Sequence, residues 1–229
     1  MNQPTLHYIH DPLCGWCYGA APLLRAAREH LPVRAHGGGM MAGERRQPVT
    51  PALRQFVMPH DRRIAQLTGQ PFGEAYVDGL LRDASAVFDS EPPITAMLAA
   101  DQLDGRGLDL LARIQRAHYV EGRQVADAGV LRELAVELGL DGPGFDEAYA
   151  QCRGAVAQAH MAESRTLLAR VGGGGFPTFV LERDGAMAVI DIGPFLGQPD
   201  RWRDWLGQQA PSAPADAAGS AASCRIDGC

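Results

Sequence analysis

No apolar run in this sequence approaches the roughly 20 residues that a membrane-spanning helix requires, so a spanning segment is not expected. Basic tracts are missing too. The arginines are scattered and the formal net charge is -6, which leaves no electrostatic footprint for a nucleic-acid partner. The first ten residues lack the uninterrupted apolar core of a signal peptide, because His7 and His10 fall within it, and the expected location is the cytoplasm. Cysteine is sparse, with five in 229 residues. A disulfide framework is therefore not expected, since cytosolic thiols stay reduced unless they are catalytic, sensing or metal-bound.

What is present suits a globular protein: 46% hydrophobic and 21% charged residues, enough chain for one full core or one domain carrying an insertion. Thr5 to His10 has the composition of a short strand, closed by Asp11-Pro12. Cys14 to His30 approximates helical spacing through Tyr18, Ala21 and Leu24, with Pro22 expected to kink the axis. Val33 to His36 then reads as a second strand. Such a strand-helix-strand unit implies a parallel pair and places Cys14 where the first strand meets the helix.

From about Thr50 to Arg170 the pattern is helical throughout, punctuated by segments such as Thr68-Gly69-Gln70-Pro71 and Glu91-Pro92-Pro93. Val130, Leu131, Leu134 and Leu138 form one apolar stripe, opened by a cap at Asp127 and closed by Gly139. Phe145, Tyr149, Cys152 and Val156 form another, in which Cys152 is a small buried hydrophobe without a chemical role. Two β-rich segments follow, Thr178 to Glu182 and Met187 to Ile192, joined by a turn containing Asp184-Gly185. Pro199 to Gln209, with Trp202, Trp205 and Leu206 on one side, predicts a closing helix. The remainder is rich in Ala, Pro and Ser and reads as a flexible tail.

Cys14 and Cys17 carry the chemistry. Thiol-disulfide exchange needs a thiolate, and a helix N-terminus supplies one through its unsatisfied amides and positive dipole end. A spacing of three returns Cys17 to the same face, within reach of Cys14. The competing reading, half of a zinc site, requires a second ligand pair; His7, His10, Cys224 and Cys229 form no standard pattern, so no metal is expected. Pro177, in Gly175-Phe176-Pro177-Thr178, is a candidate for a cis bond that leaves adjacent backbone free for a substrate chain; an ordinary trans proline opening a strand is the alternative. The run Gly172 to Gly175 lacks the residues of a phosphate cradle and reads as slack before Pro177. His60, Asp61, Arg62 and Arg63 read as a polar loop or helix start, and Met40 and Met41 as packing residues.

Asp11-Pro12-Leu13-Cys14-Gly15-Trp16-Cys17-Tyr18-Gly19 and Gly175-Phe176-Pro177-Thr178 together resemble the DsbA family of the thioredoxin superfamily, more closely its FrnE-like cytoplasmic branch. Gly37-Gly38-Gly39-Met40-Met41 and Thr68-Gly69-Gln70-Pro71-Phe72 extend the likeness over nearly everything but the tail. The resemblance implies an α/β thioredoxin fold with a large helical insertion between an N-terminal βαβ unit and a C-terminal ββα unit. Residues 1–48 and 171–209 then make the thioredoxin-fold domain, 49–170 the inserted helical domain and 210–229 the tail. It also implies Cys14 as nucleophile, Cys17 as resolving thiol, and Pro177 in cis against the active disulfide. Trp16, Phe176 and Pro177 are the candidate substrate-binding residues. Gly15-Trp16 stands where strongly oxidising exported members carry Pro-His, so their potential does not carry over.

The expected activity is a protein-disulfide reductase or isomerase without a cofactor, acting on oxidised or misfolded client proteins and recharged by a cellular thiol reductant. A glutathione-dependent isomerase or transferase of the same fold, and a redox-controlled chaperone, are the alternatives. Cys224 and Cys229 form a second pair: a linker of about 14 residues spans roughly 20 Å, enough for the tail to exchange disulfides with Cys14, and a functionally silent or adventitiously metal-trapping pair is the alternative.

Overall fold

The computed structural model describes residues 3 to 209; Cys224 and Cys229 lie outside the described residues. The first strand, β1 (Thr5–His10), is buried on both faces, as a central strand covered by helices on each side must be. β2 (Val33–Gly37) pairs with it in parallel, Leu6 opposite Val33 and His10 opposite Gly37. The crossover is helical but in two pieces, α1 (Gly15–Gly19) and α2 (Ala21–Arg28), where one kinked helix was expected. The break falls at Ala20, which puts Pro22 in the first turn of α2, where its missing N–H leaves no bond unmade.

The chain after β2 is not wholly helical. β3 (Gln47–Pro48) pairs with β4 (Val87–Phe88), a ladder inside the stretch expected to hold helices alone. Two residues are too few to show a period of two in sequence. Between these strands, α3 (Pro51–Thr68) starts where the Thr50 hydroxyl accepts from Leu53 N–H at 3.1 Å and ends at Gly69 in the left-handed region. α4 (Glu91–Asp104) carries Pro92 and Pro93 in its first turn, so the segment read as punctuation is a helix start. α5 (Gly107–Tyr119), α6 (Ala128–Glu137), α7 (Gly142–Cys152) and α8 (Ala155–Arg170) complete the helical block. Asp127 caps α6, accepting from Val130 N–H at 3.0 Å. The chain turns at Arg153 and Gly154 between α7 and α8, which leaves Val156 exposed and outside the stripe of Phe145, Tyr149 and Cys152.

β5 (Thr178–Arg183) returns antiparallel to β1, and β6 (Ala186–Ile190) follows antiparallel to β5, giving the strand order β2-β1-β5-β6. Asp184 and Gly185, both at positive φ, make the two-residue turn. α9 (Pro199–Gln209) closes the fold on α2: Trp202 is fully buried, its indole N–H donates to the Leu23 carbonyl at 2.9 Å, and its ring meets Phe179 edge-on. Tyr8 and Phe179 face that side of the sheet, whereas Ile9 and Val180 face the other and pack on Leu167 of α8. A βαβ unit, a helical insertion and a ββα unit in this order are the expected thioredoxin fold with its interruption. Among the described residues no helix is long and apolar enough to cross a membrane.

Candidate active site

The loop from β1 into α1 is built around one carboxylate. Asp11 is completely buried; its Oδ1 accepts from Leu13 N–H at 2.9 Å and from the Ser90 hydroxyl at 2.9 Å, and its Oδ2 accepts from Met40 N–H. These bonds tie the turn to the residues after β2 and to the start of α4. Burial pushes the Asp11 carboxyl up to about 6, against the three hydrogen bonds that favour its charged form. Sequence reasoning passed over Asp11 as a turn residue; its place three residues before Cys14 was the available signal.

Cys14 occupies the N-cap of α1 in extended conformation, and its carbonyl accepts the first helical bond from Tyr18 N–H at 3.1 Å. Cys17 lies in the first turn of α1. Its sulfur accepts from Asp11 N–H at 3.5 Å, and its carbonyl accepts from the Tyr8 hydroxyl at 3.3 Å. Both are free thiols. Exposure separates them: Cys14 is 6% exposed and Cys17 is sealed at 0%. Burial pushes the Cys17 thiol well up, and the hydrogen bond with Cys14 and that group's charge push it further.

The Phe176–Pro177 bond is cis, and the Cys14 thiol donates to the Phe176 carbonyl at 3.5 Å. Chain segments 162 residues apart thus meet at the sulfur. The Phe176 ring lies over Gly38, where an added Cβ would stand 2.1 Å from it, so any larger residue there must displace the ring. Gly173 is not slack: its N–H donates to the Leu168 carbonyl at 2.9 Å and ends α8.

Trp16 is half-buried beside the pair, and the Arg63 guanidinium lies 6.0 Å from its ring centroid. His60 to Arg63 fall in the middle of α3, not in a loop or at a helix start. Asp61 is buried against Gly15, where a Cβ would come within 3.0 Å of its Oδ1, and it accepts from the Tyr76 hydroxyl at 3.0 Å. Burial raises its carboxyl to about 6. Met41 is buried as expected, and its N–H donates to the Ser90 hydroxyl at 3.0 Å. Cys152 sits on α7, buried, its thiol donating to Gln102 Oε1 at 3.4 Å; burial raises it as well. Among the described residues no group of three or more His, Cys, Asp or Glu is placed to hold a metal ion.

No family model and no curated protein matches the chain. Solved structures do. The cytosolic disulfide reductase DsbM from Pseudomonas aeruginosa is 64% identical, with 90% of this chain and 98% of that chain covered and a TM-score of 0.85. The same reductase with GSH is 62% identical over 90% and 98% of the two chains, at a TM-score of 0.84. A candidate protein disulfide isomerase from Nitrosomonas europaea is 27% identical over 90% and 97%, at a TM-score of 0.73. A buried dithiol at a strand-to-helix junction, a cis-proline loop against its outer sulfur and this degree of identity lead to one conclusion: the chain belongs to the DsbA family of thioredoxin-fold thiol-disulfide oxidoreductases, in the branch that contains the DsbM disulfide reductase.

Proposed function

We propose that this oxidoreductase reduces protein disulfides in the cytoplasm, with Cys14 as attacking sulfur, Cys17 as resolving sulfur and glutathione as the reductant. The observation that carries the reading is the asymmetry of the pair: Cys14 alone has exposed surface and lies against the Phe176 carbonyl, while Cys17 is sealed beneath it. The Cys14 thiolate attacks one sulfur of a client disulfide, forming a mixed disulfide and releasing the other client sulfur as a thiolate that takes up a proton. Cys17 then attacks Cys14, which closes the Cys14–Cys17 disulfide and frees the second client thiol. Burial and the charge of Cys14 hold Cys17 protonated beforehand; capping Cys14 in the mixed disulfide removes the second cause, so Cys17 ionises when it is needed. Two glutathione thiols then reduce the pair and leave as glutathione disulfide.

Support for glutathione comes from the Pseudomonas aeruginosa relative solved with it, and support for the compartment from that relative being cytosolic. Trp16, Phe176 and Pro177 form the client-facing rim in this reading. Residues 1–48 and 171–209 act as the dithiol-bearing domain, with 49–170 as the inserted one. The test is Cys17→Ser expressed in cells. It should accumulate mixed disulfides between Cys14 and client proteins, absent from Cys14→Ser. Recovery of none, with turnover confined to small glutathione adducts, would replace protein clients with a small-molecule substrate.

Cys224 and Cys229 are proposed to exchange with the same pair. The last described residue, Gln209, accepts from Arg183 at the end of β5 remote from Pro177, about 17 Å along the strand. A linker of about 14 residues covers that span. Deleting 210–229 should shift the potential or turnover, and unchanged values of both reject the exchange.

A further inference from the structure

β2 is the edge strand of the sheet, and its outer edge opens on a cleft of about 550 Å³ walled by α4, α5 and α8. In a parallel ladder successive residues turn their amides alternately inward and outward. Gly38 N–H points in, donating to the His10 carbonyl at 2.7 Å, and Gly37 N–H points out, donating to His160 Nε2 at 3.0 Å. By that alternation Ala35 and Val33 also present their main-chain groups outward, and the described residues supply neither with a partner. A second observation marks the same place. His10 lines the cleft at 0% exposure, and neither of its ring nitrogens has a hydrogen-bond partner in the described structure. Burial holds it neutral, its pKa lowered to about 3, so it offers one donor and one acceptor.

The cleft is also polarised. Arg28 and Arg34 stand by the start of β2, and Arg34 makes no ion pair among the described residues. Glu163 lies one turn along α8 from His160, which holds the Gly37 N–H, and its charge acts on that ring. Between them the wall is apolar, with Met97 and Leu98 of α4 and Leu108 of α5. Free strand amides, an apolar wall, an arginine toward one end and a carboxylate toward the other are complementary to one kind of ligand.

We propose that this cleft binds an extended segment of the client polypeptide, added antiparallel to β2, with a basic residue toward Glu163 and an acidic one toward Arg34. This deepens the reading of the protein as a reductase of protein disulfides: the strand edge gives the enzyme affinity for unfolded main chain away from the sulfur that reacts. Gly37 begins the segment that carries Gly38 under the Phe176 ring, so the cleft and the dithiol share one border.

The test separates docking from chemistry by using a peptide without sulfur. The probe is acetyl-Lys-Val-Leu-Val-Glu-amide on the full chain, with acetyl-Glu-Val-Leu-Val-Glu-amide as control. Binding should slow hydrogen exchange at the Val33 and Ala35 amides, move the His10 ring resonances, and be weaker for the control. Unchanged exchange at millimolar probe, or ring shifts without amide protection, would overturn strand addition whether or not Cys14 is the nucleophile. Ala35→Pro removes one outward donor without touching the ladder to β1, and edge strands accept proline in that orientation. It should raise KM for an unfolded protein disulfide roughly fivefold, the loss of one net hydrogen bond, with turnover of bis(2-hydroxyethyl) disulfide unchanged. An equal loss on both substrates would count against docking. The exchange measurement on the unaltered chain decides the matter if Ala35→Pro does not fold.

Discussion

The loop from Asp11 to Cys17 and the outer face of the helical block are held together in opposite ways. In the loop, a buried carboxylate collects two backbone N–H groups and a hydroxyl, and one more N–H is aimed at a sulfur. On the block, Arg113 and Arg123 share Glu121, Glu133 and Glu137 in a partly exposed network. Buried, fully partnered groups have few alternative positions, so a single change there propagates; exposed ion pairs exchange with water at little net cost. In the loop, stability should therefore rest on Asp11 and activity on Cys14, while the helical face should tolerate change in both.

That contrast can be broken most directly at the sulfur. Cys14→Ser should bring disulfide reduction down to the rate of the uncatalysed exchange while leaving thermal stability nearly intact, as coupled turnover assays and melting curves would show. Next in size is Asp11. Its carboxyl keeps a proton up to about pH 6 in the folded state, whereas an unfolded aspartate loses it near 4. Between those values the native state holds more protons, so stability falls as pH rises and then levels off. The contribution of this group is about 3 kcal/mol at most, for two units of difference. Asp11→Asn should remove that part of the slope in denaturant titrations across pH 4 to 7, leaving the part owed to Asp61. A slope unchanged by the substitution would detach Asp11 from the account.

Gly38→Ala should cost about 1 to 3 kcal/mol, because the new methyl needs space the Phe176 ring occupies. Turnover should fall with it as the Phe176 carbonyl moves from Cys14. The smallest effect is expected on the helical face: Glu133→Ala, two-thirds exposed, should change unfolding free energy by less than about 0.5 kcal/mol. A large loss there would mean that the network is structural and the contrast is false.

Much of the fold was legible because local signals were strong. The alternation around Asp184-Gly185, the Thr5 to His10 strand and the Asp127 cap appear within a residue or two of where pattern and turn chemistry put them. The strand pair of β3 and β4 was not, because each contributes only two residues. Asp61 was misplaced because a His-Asp-Arg-Arg run is polar in sequence, while on α3 one of the four turns inward against Gly15. Asp11 looked like half of an Asp-Pro turn, and its other partners, Met40 and Ser90, lie 29 and 79 residues away.

By itself the sequence singled out the Cys14 and Cys17 pair and set the main strands and helices in order, since spacing, capping and turn chemistry are local properties of the chain; the proline beside the pair was legible through the family resemblance. Only the tertiary structure decided which sulfur keeps a path to solvent, which carboxylates are buried, and that His10 lines a cleft along an open strand edge. Burial and the matching of donors to acceptors depend on segments distant in sequence, and no short window of residues contains them.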